Sequence, residues 1–314
     1  MPVPRPHDLL VKIMAVAINP VDTKVRKLLG DTLQNPPRIL GFDAAGIVVA
    51  MGSSVTEFRI GDEVFYSGDV TRAGSNAEYQ AVDARLVARK PASWSFAESA
   101  ALPLVALTAW ELLFERMCIC ETGADASKAL LVINGAGGVG SALIPLAIAA
   151  GLEVVATASR PESRAWCSKL GAQHIINHHL PIRPQAEALG ISEFPYIANL
   201  HNTETYWETT ADLLAPLGTL GLIVETANPL DIGNPFRLKS PRIVWEYMPA
   251  RSRFQTADMH RQGEILAEIA HRCDAGKFPK LHTHIAKGIT AAHLIQAHAA
   301  MEHSTARGKW VLEA

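Results

Sequence analysis

One stretch limits the fold of this chain more than any other: "ALLVINGAGGVGSALIPLAIAAGLEVVATASR", from Ala129 to Arg160. Apolar residues from Leu130 to Ile133 read as a buried strand, and a glycine-rich turn, a helix and a second apolar strand follow. This is one βαβ unit, and it commits this part of the chain to a parallel sheet covered by helices. Gly135, Gly137 and Gly140 form G-x-G-x-x-G at the point where strand passes into helix. The first glycine permits the tight turn, the second lets backbone approach a pyrophosphate, and the third lets helix and strand pack closely. With Ala136, Gly138 and Val139 between them, these glycines would offer the amides of a helix N-terminus to an anion. The alternative, a glycine-rich turn without a ligand, does not account for the strand before and the helix after. Pro145 falls inside the helix, where it removes one hydrogen bond.

The second strand ends in "VVATASRPESR". An NAD-selective site would place Asp or Glu here for the ribose hydroxyls. Ser159, Arg160 and Arg164 stand there instead, a hydroxyl and two guanidinium groups suited to a 2′-phosphate. The reading is therefore NADP(H); an ordinary charged loop is the other possibility.

The segments on either side differ in texture. "LLVKIMAVA", "AGIVVAM", "GDEVFYSG", "AEYQAV" and "ARLVARK" are short strands separated by turn residues, so the first hundred residues or so read as a β-rich domain. Beyond the βαβ unit, "YIANL", "ETYWETTADLLAPLG", "TLGLIVE" and "SPRIVWEYM" continue the alternation of strand and helix. "DMHRQGEILAEIAHRCDAG" is a helix with Met259, Leu266, Ile269, Ala270 and Cys273 on one face, Asp258 as N-cap and Gly276 as stop. The last strand, helix and strand return to the first domain. The expected organisation is residues 1–100, β-rich; 101–274, dinucleotide-binding; and 275–314, returning to the β-rich domain.

The chain has 314 residues, 48% apolar and 19% charged, with a net charge of −2, an ordinary globular balance that excludes a disordered chain. No basic stripe marks a nucleic-acid partner. No apolar run approaches the roughly 18 residues needed to span a bilayer. The opening "MPVPRPHDLL" lacks a secretory layout, and four cysteines without disulfide spacing fit a reducing cytoplasm. Cys118 and Cys120 make a C-x-C pair without a second pair, too few thiolates for structural zinc. His282 and His284 alternate in "LHTHI", and His178 and His179 are adjacent in a polar loop. Neither pair has neighbouring acid or thiol partners in sequence, so solvated or hydrogen-bonded histidines are the plainer reading.

Taken together, "AINPVDTKVR", "GFDAAGIVVAMGSSV", "GDEVFYSG", "GSNAEY", "LPLVALTAWELL", "INGAGGVGSA" and "GKWVL" resemble the medium-chain dehydrogenase/reductase superfamily, on its zinc-free, quinone-oxidoreductase-like side. "IVWEYMPARSRFQTADMHRQGEILAEIA" resembles the subgroup labelled zinc-type alcohol dehydrogenase-like. The resemblance implies an α/β chain: a Rossmann doubly wound sheet plus a GroES-like catalytic domain. It implies NADPH-dependent reduction of quinones or α,β-unsaturated carbonyls in the cytoplasm, by a homodimer joined through the strand in "SPRIVWEYM". An NADPH-binding protein without turnover, like the crystallins of the superfamily, and a zinc alcohol dehydrogenase are the alternatives.

In the zinc branch the catalytic ligands would fall at Asn19, Phe42 and about Leu104. Amide, phenyl and isobutyl groups supply neither thiolate nor imidazole, so no zinc is expected. By resemblance Asn19 lines the substrate pocket, or is a turn residue before Pro20, and Asp22 orients the same loop. Tyr66 offers a phenol as donor, or is a core tyrosine. Thr108 lies near the nicotinamide, or bonds helix backbone. Lys309 reaches the cofactor cleft, or is a surface charge. Relatives open with a further strand, which this sequence lacks, so an unpaired edge is expected in the β-rich domain.

Overall fold

"DLLVKIMAVAI" forms β1, Asp8–Ile18, whose aliphatic run is buried almost end to end. Each such side chain contributes about 1.5–3 kcal/mol when removed from water. The computed structural model describes residues 1–30, 34–303 and 306–314. The remaining strands are β2 Asp43–Met51, β3 Glu63–Ser67, β4 Tyr79–Asp83, β5 Val87–Arg89, β6 Ala129–Ile133 and β7 Glu153–Thr157. Then come β8 His174–Ile176, β9 Phe194–Asn199, β10 Leu214–Leu222, β11 Arg242–Trp245, β12 His282–Lys287 and β13 Lys309–Glu313.

The chain divides into two compact units, Met1–Leu107 with Met248–Ala314, and Thr108–Tyr247. In the first, a seven-stranded sheet runs β12-β13-β1-β2-β3-β5, with β4 paired to β1. One edge of β1 meets β2, and the other is shared between β4 at Asp8–Lys12 and β13 at Ala15–Ile18. This sharing brings the last strand beside the first. The far edge of β4 has no strand partner among the described residues. The core on this sheet includes Leu9, Val11, Val16, Val48, Val64, Tyr66 and Leu312.

The second unit holds six parallel strands in the order β11-β10-β9-β6-β7-β8. Strand order reverses at β6, the strand that leads into the glycine turn. A doubly wound sheet binds its ligand outside the carboxyl ends of the strands, at such a reversal.

The boundary expected at residue 274 is corrected. The helix Arg261–Asp274 packs on the β-rich unit, against β5 and the 3₁₀ turn Ala84–Leu86. Gly263 allows this contact, since a Cβ there would stand 2.7 Å from the carbonyl of Arg85. At the far end of the helix, the Asp274 carboxylate accepts from the amides of Ala92 and Ser93 and from the Ser93 hydroxyl. The apolar stripe of Met259, Leu266, Ile269, Ala270 and Cys273 is buried, yet a stripe alone does not say which domain receives it. Gly276 follows the helix at φ +69°, while the N-cap is His260 and Asp258 instead pairs with Arg251.

Candidate functional site

The glycine turn is built on β6 and β7. Asn134 turns the chain out of β6 with φ +69°, a conformation asparagine tolerates. Its amide donates to the Thr157 hydroxyl at 2.9 Å, and the Gly135 amide donates to the Thr157 carbonyl at 3.2 Å. A Cβ on Gly135 would stand 2.8 Å from Ala156, and one on Gly140 would stand 2.5 Å from the carbonyls of Asn134 and Gly135. Real Cβ atoms do not approach backbone so closely, so the third glycine is what lets the helix start against the turn.

Gly137 is the N-cap of the helix Gly138–Ala149, and no side chain caps it. The amides of Gly138, Val139 and Gly140 lie in its first turn, where backbone donors lack an intrahelical partner. Together with the helix dipole they fit a pyrophosphate. A Cβ on Gly137 would meet the Asn134 side chain at 2.7 Å. Behind the turn, Ser141 donates to the Gly137 carbonyl at 2.7 Å and accepts from the Trp166 indole at 2.8 Å. Asn134, Ser141, Thr157 and Trp166 were not singled out from the sequence. A hydroxyl ending the strand after a glycine motif is the signal for Thr157; nothing local points to Trp166. Cys167 lies against Gly135, and burial pushes its thiol up to about 12, so it is inert.

Of the three residues expected at the ribose phosphate, Ser159 is half-buried and Arg160 is exposed. Arg164 is placed differently. Its guanidinium donates to the carbonyls of Ala158 at 3.3 Å and Ile175 at 3.0 Å, fastening the ends of β7 and β8 together.

The β-rich unit carries a second polar constellation. Asn19 precedes the helix Pro20–Leu29, with Pro20 fixing φ at the first helical position. The Asn19 amide N–H donates to Asp22 Oδ2 at 2.8 Å. Its side-chain nitrogen donates to Asp43 Oδ2 at 2.8 Å, and its side-chain oxygen accepts from Lys309 Nζ. Lys309 also donates to Asp43 Oδ2 at 2.8 Å, and the Leu104 amide donates to Asp43 Oδ1 at 2.7 Å. Asn19 and Lys309 are 1% and 2% exposed, and Asp22 and Asp43 are fully buried. Asp22 Oδ1 has no hydrogen-bond partner. Burial raises the Asp22 carboxyl to about 7 against the pull of the Asn19 amide, and the like charge of Asp43 adds to the rise.

This geometry corrects three expectations. Asn19 presents no amide to a substrate, because both ends of its carboxamide are bonded internally. Lys309 is not a surface charge but a buried counter-ion. Tyr66 is fully buried in the core, and its hydroxyl donates to Gln80 Oε1 at 3.0 Å. Burial lifts its phenol above the ordinary range, so it is not a proton donor. Thr108 lies buried in the helix Pro103–Trp110.

The zinc-ligand positions hold no zinc donor set. Asn19 is engaged as described, Phe42 is a buried phenyl, and Leu104 contributes only a backbone N–H, to Asp43. Among the described residues no group of three or more histidine, cysteine or acidic side chains is arranged to hold a metal ion. His284 stacks on Trp310 with ring centroids 4.0 Å apart. Tetrahedral zinc requires three or four nitrogen, sulfur or oxygen donors, and the residues here do not fit it.

Comparison with known proteins agrees with this architecture. Residues 5–92 match the family described as alcohol dehydrogenase GroES-like domain, and residues 170–312 match zinc-binding dehydrogenase. The zinc-type alcohol dehydrogenase-like protein SAS2087 of Staphylococcus aureus is 39% identical over 312 residues, 99% of this chain and 92% of that protein. The 2-methylene-furan-3-one reductase of Solanum lycopersicum is 42% identical over 184 residues, 55% of this chain and 45% of that one. A crystal structure of a protein from Rhizobium etli CFN 42, provisionally described as a zinc-dependent alcohol dehydrogenase, superposes with a TM-score of 0.94 at 42% identity. It covers all of this chain and 91% of the other. With a GroES-like domain, a Rossmann-like domain and relatives matched over nearly its whole length, the chain belongs to the medium-chain dehydrogenase/reductase superfamily of oxidoreductases.

Proposed function

We propose that this protein is an NADPH-dependent reductase of quinones or α,β-unsaturated carbonyls that works without a catalytic metal. The observation that carries the reading is the pairing of an uncapped glycine turn with a β-rich unit whose zinc-ligand positions are Asn19, Phe42 and Leu104. The cofactor, when bound, supplies the hydride. The turn residues Gly135, Ala136, Gly137, Gly138, Val139 and Gly140 hold the pyrophosphate on backbone donors, and Ser159 and Arg160 hold the adenosine ribose end. We retain Thr108 beside the nicotinamide by family resemblance.

Without a Lewis acid, alkoxide chemistry loses its main electrostatic support. Reduction of a conjugated acceptor needs less help, because the incoming charge spreads over the carbonyl or ring and a hydrogen-bond donor or water suffices. Tyr66 and Asn19 are committed inside the protein, so the proton comes from solvent rather than from either of them. The name of the Solanum lycopersicum relative, a reductase of a methylene-furanone, supports the enone class. The outer strand β11, with Trp245 45% exposed, supports a homodimer through that edge. No helix among the described residues is long and apolar enough to cross a membrane; we place the protein in the cytoplasm.

The test is to mix protein, NADPH, a strong chelator and a panel of quinones and enones, with NADH in parallel. Acceptor-dependent oxidation of NADPH, faster than that of NADH and unaffected by chelator, is expected. Tight NADPH binding without oxidation would move the reading to a binding protein, and loss of activity with chelator to a zinc enzyme.

A further inference from the structure

Three loops leave the carboxyl ends of neighbouring strands in the order β10-β9-β6. The loop after β6 is the glycine turn, and the Leu200 amide, just beyond β9, donates to the Ile133 carbonyl at the end of β6 at 3.3 Å. The turn between β9 and the helix Trp207–Leu213 is built on two asparagines. Asn199, 1% exposed, donates through its side chain to the Asn202 carbonyl at 3.1 Å and accepts from the His201 amide at 3.2 Å. Asn202 Oδ1 accepts from the Thr205 amide at 2.8 Å. Side chains bonded to backbone two or three residues on fix a turn without regular secondary structure.

That turn grips the next loop. Residues 223–232 join β10 to the helix Gly233–Lys239 and are largely exposed. The Thr203 hydroxyl donates to the Val224 carbonyl at 2.6 Å, and the Trp207 indole donates to the Asp231 carbonyl at 2.7 Å. Between these two tethers, Glu204 Oε1 accepts from the amides of Ala227 and Asn228, and Glu204 Oε2 accepts from Asn228 Nδ2 at 3.0 Å. These are charge-assisted bonds, and Asn228, then Ala227, holds the Glu204 carboxyl below the usual carboxylate range. A trans peptide points its carbonyl opposite to its N–H, so the carbonyls of Thr226 and Ala227 are turned away from Glu204. The clamp thus fixes the direction of two peptide groups as well as the path of the chain.

Neighbouring strands lie about 4.8 Å apart, so β10 stands roughly 10 Å from β6. With the pyrophosphate on the glycine turn and the adenosine end toward β7, the other half of an extended dinucleotide crosses β9 and reaches β10. We propose that Glu204 is a positioning residue for the nicotinamide half of the cofactor: its clamp on Ala227 and Asn228 holds the loop after β10 where that half docks. The inference rests on the nicotinamide-cofactor reading above. A loop ordered in advance spares binding the entropy of ordering it, and Glu204 acts through the loop without touching the cofactor.

The experiment is titration of the full chain, wild type and variants, with NADPH and with adenosine 2′,5′-bisphosphate, which carries the adenosine end alone. NADPH fluorescence is recorded alongside, because it reports how firmly the nicotinamide ring is held. Glu204→Ala should weaken NADPH about tenfold and reduce the fluorescence gain on binding, while the bisphosphate changes less than about twofold. Glu204→Gln keeps an acceptor for both amides and should recover most of the loss. Asn228→Ala removes one donor of the three and should weaken NADPH about threefold, with no further effect in the Glu204→Ala background. It also serves if Glu204→Ala fails to fold. Bisphosphate weakened as much as NADPH overturns the proposal, since Glu204 would then only support the fold. NADPH binding unchanged in the variants overturns it as well, and both results leave the cofactor reading standing. Wild-type protein that binds neither ligand overturns the cofactor reading together with the proposal.

Discussion

The glycine turn and the Asn19–Asp43–Lys309 cluster are both polar, and they are built on opposite principles. The turn presents backbone donors at the start of a helix with no side chain to cap them. The cluster turns every polar end of Asn19 and three acceptor contacts of Asp43 inward, on residues almost wholly removed from water. One region leaves its backbone donors uncapped and the other is nearly self-satisfied. The lesson is that chemistry-bearing residue types do not identify a site; unmet bonding capacity does. By that measure the remaining gap in the cluster is Asp22 Oδ1.

Removing the ammonium breaks the comparison most severely. Lys309→Met leaves the Asp43 carboxylate buried without its counter-charge, which costs about 3–5 kcal/mol. Urea unfolding followed by tryptophan fluorescence should show that loss; an unchanged midpoint would mean the pair is not buried as described. On the other side, Gly140→Ala drives a Cβ into the carbonyls of Asn134 and Gly135 and should distort the cradle. A loss of about 100-fold in nucleotide affinity, equivalent to about 2.7 kcal/mol, is expected by titration. The smallest effect tests the gap. A carboxyl raised in the folded state stabilises the fold at low pH and loses that contribution as pH climbs from its unfolded value toward about 7. Stability should therefore fall by about 1–3 kcal/mol between about pH 5 and pH 8, and Asp22→Asn should flatten the decline. A variant that declines as steeply as the wild type would place the titrating group elsewhere.

The sequence made the glycine turn legible because each of its requirements is local. Three glycines, an apolar strand before them and a helix after them fall within one βαβ unit. The position of Ser159 and Arg160 in the loop after β7 was legible for the same reason. Arg164 was not, since whether a guanidinium points outward or back onto β8 depends on strand pairing. Lys309 and Asp43 lie 266 residues apart, and no pattern in either segment says that β13 comes to lie beside β1. Tyr66 sits in β3, where Val64, Phe65, Tyr66 and Ser67 are buried in succession, so no alternation marked which side chains face the core. The boundary at residue 274 failed because an amphipathic helix announces that it packs, not on what.

The β-rich unit is assembled from both ends of the chain, with Thr108–Tyr247 inserted between its two parts. Protein synthesis runs in one direction, so the carboxylate of Asp43 leaves the ribosome long before the lysine that neutralises it. The inserted unit has all its strands in hand by Tyr247 and is free to fold first, whereas the strand that completes the network on β1 is made after it. Until β13 docks, burying the Asp43 carboxylate would leave it without its counter-charge, which is costly. The buried ion pair thereby ties closure of the first sheet around Asp43 to the docking of a strand whose lysine is made 266 residues later.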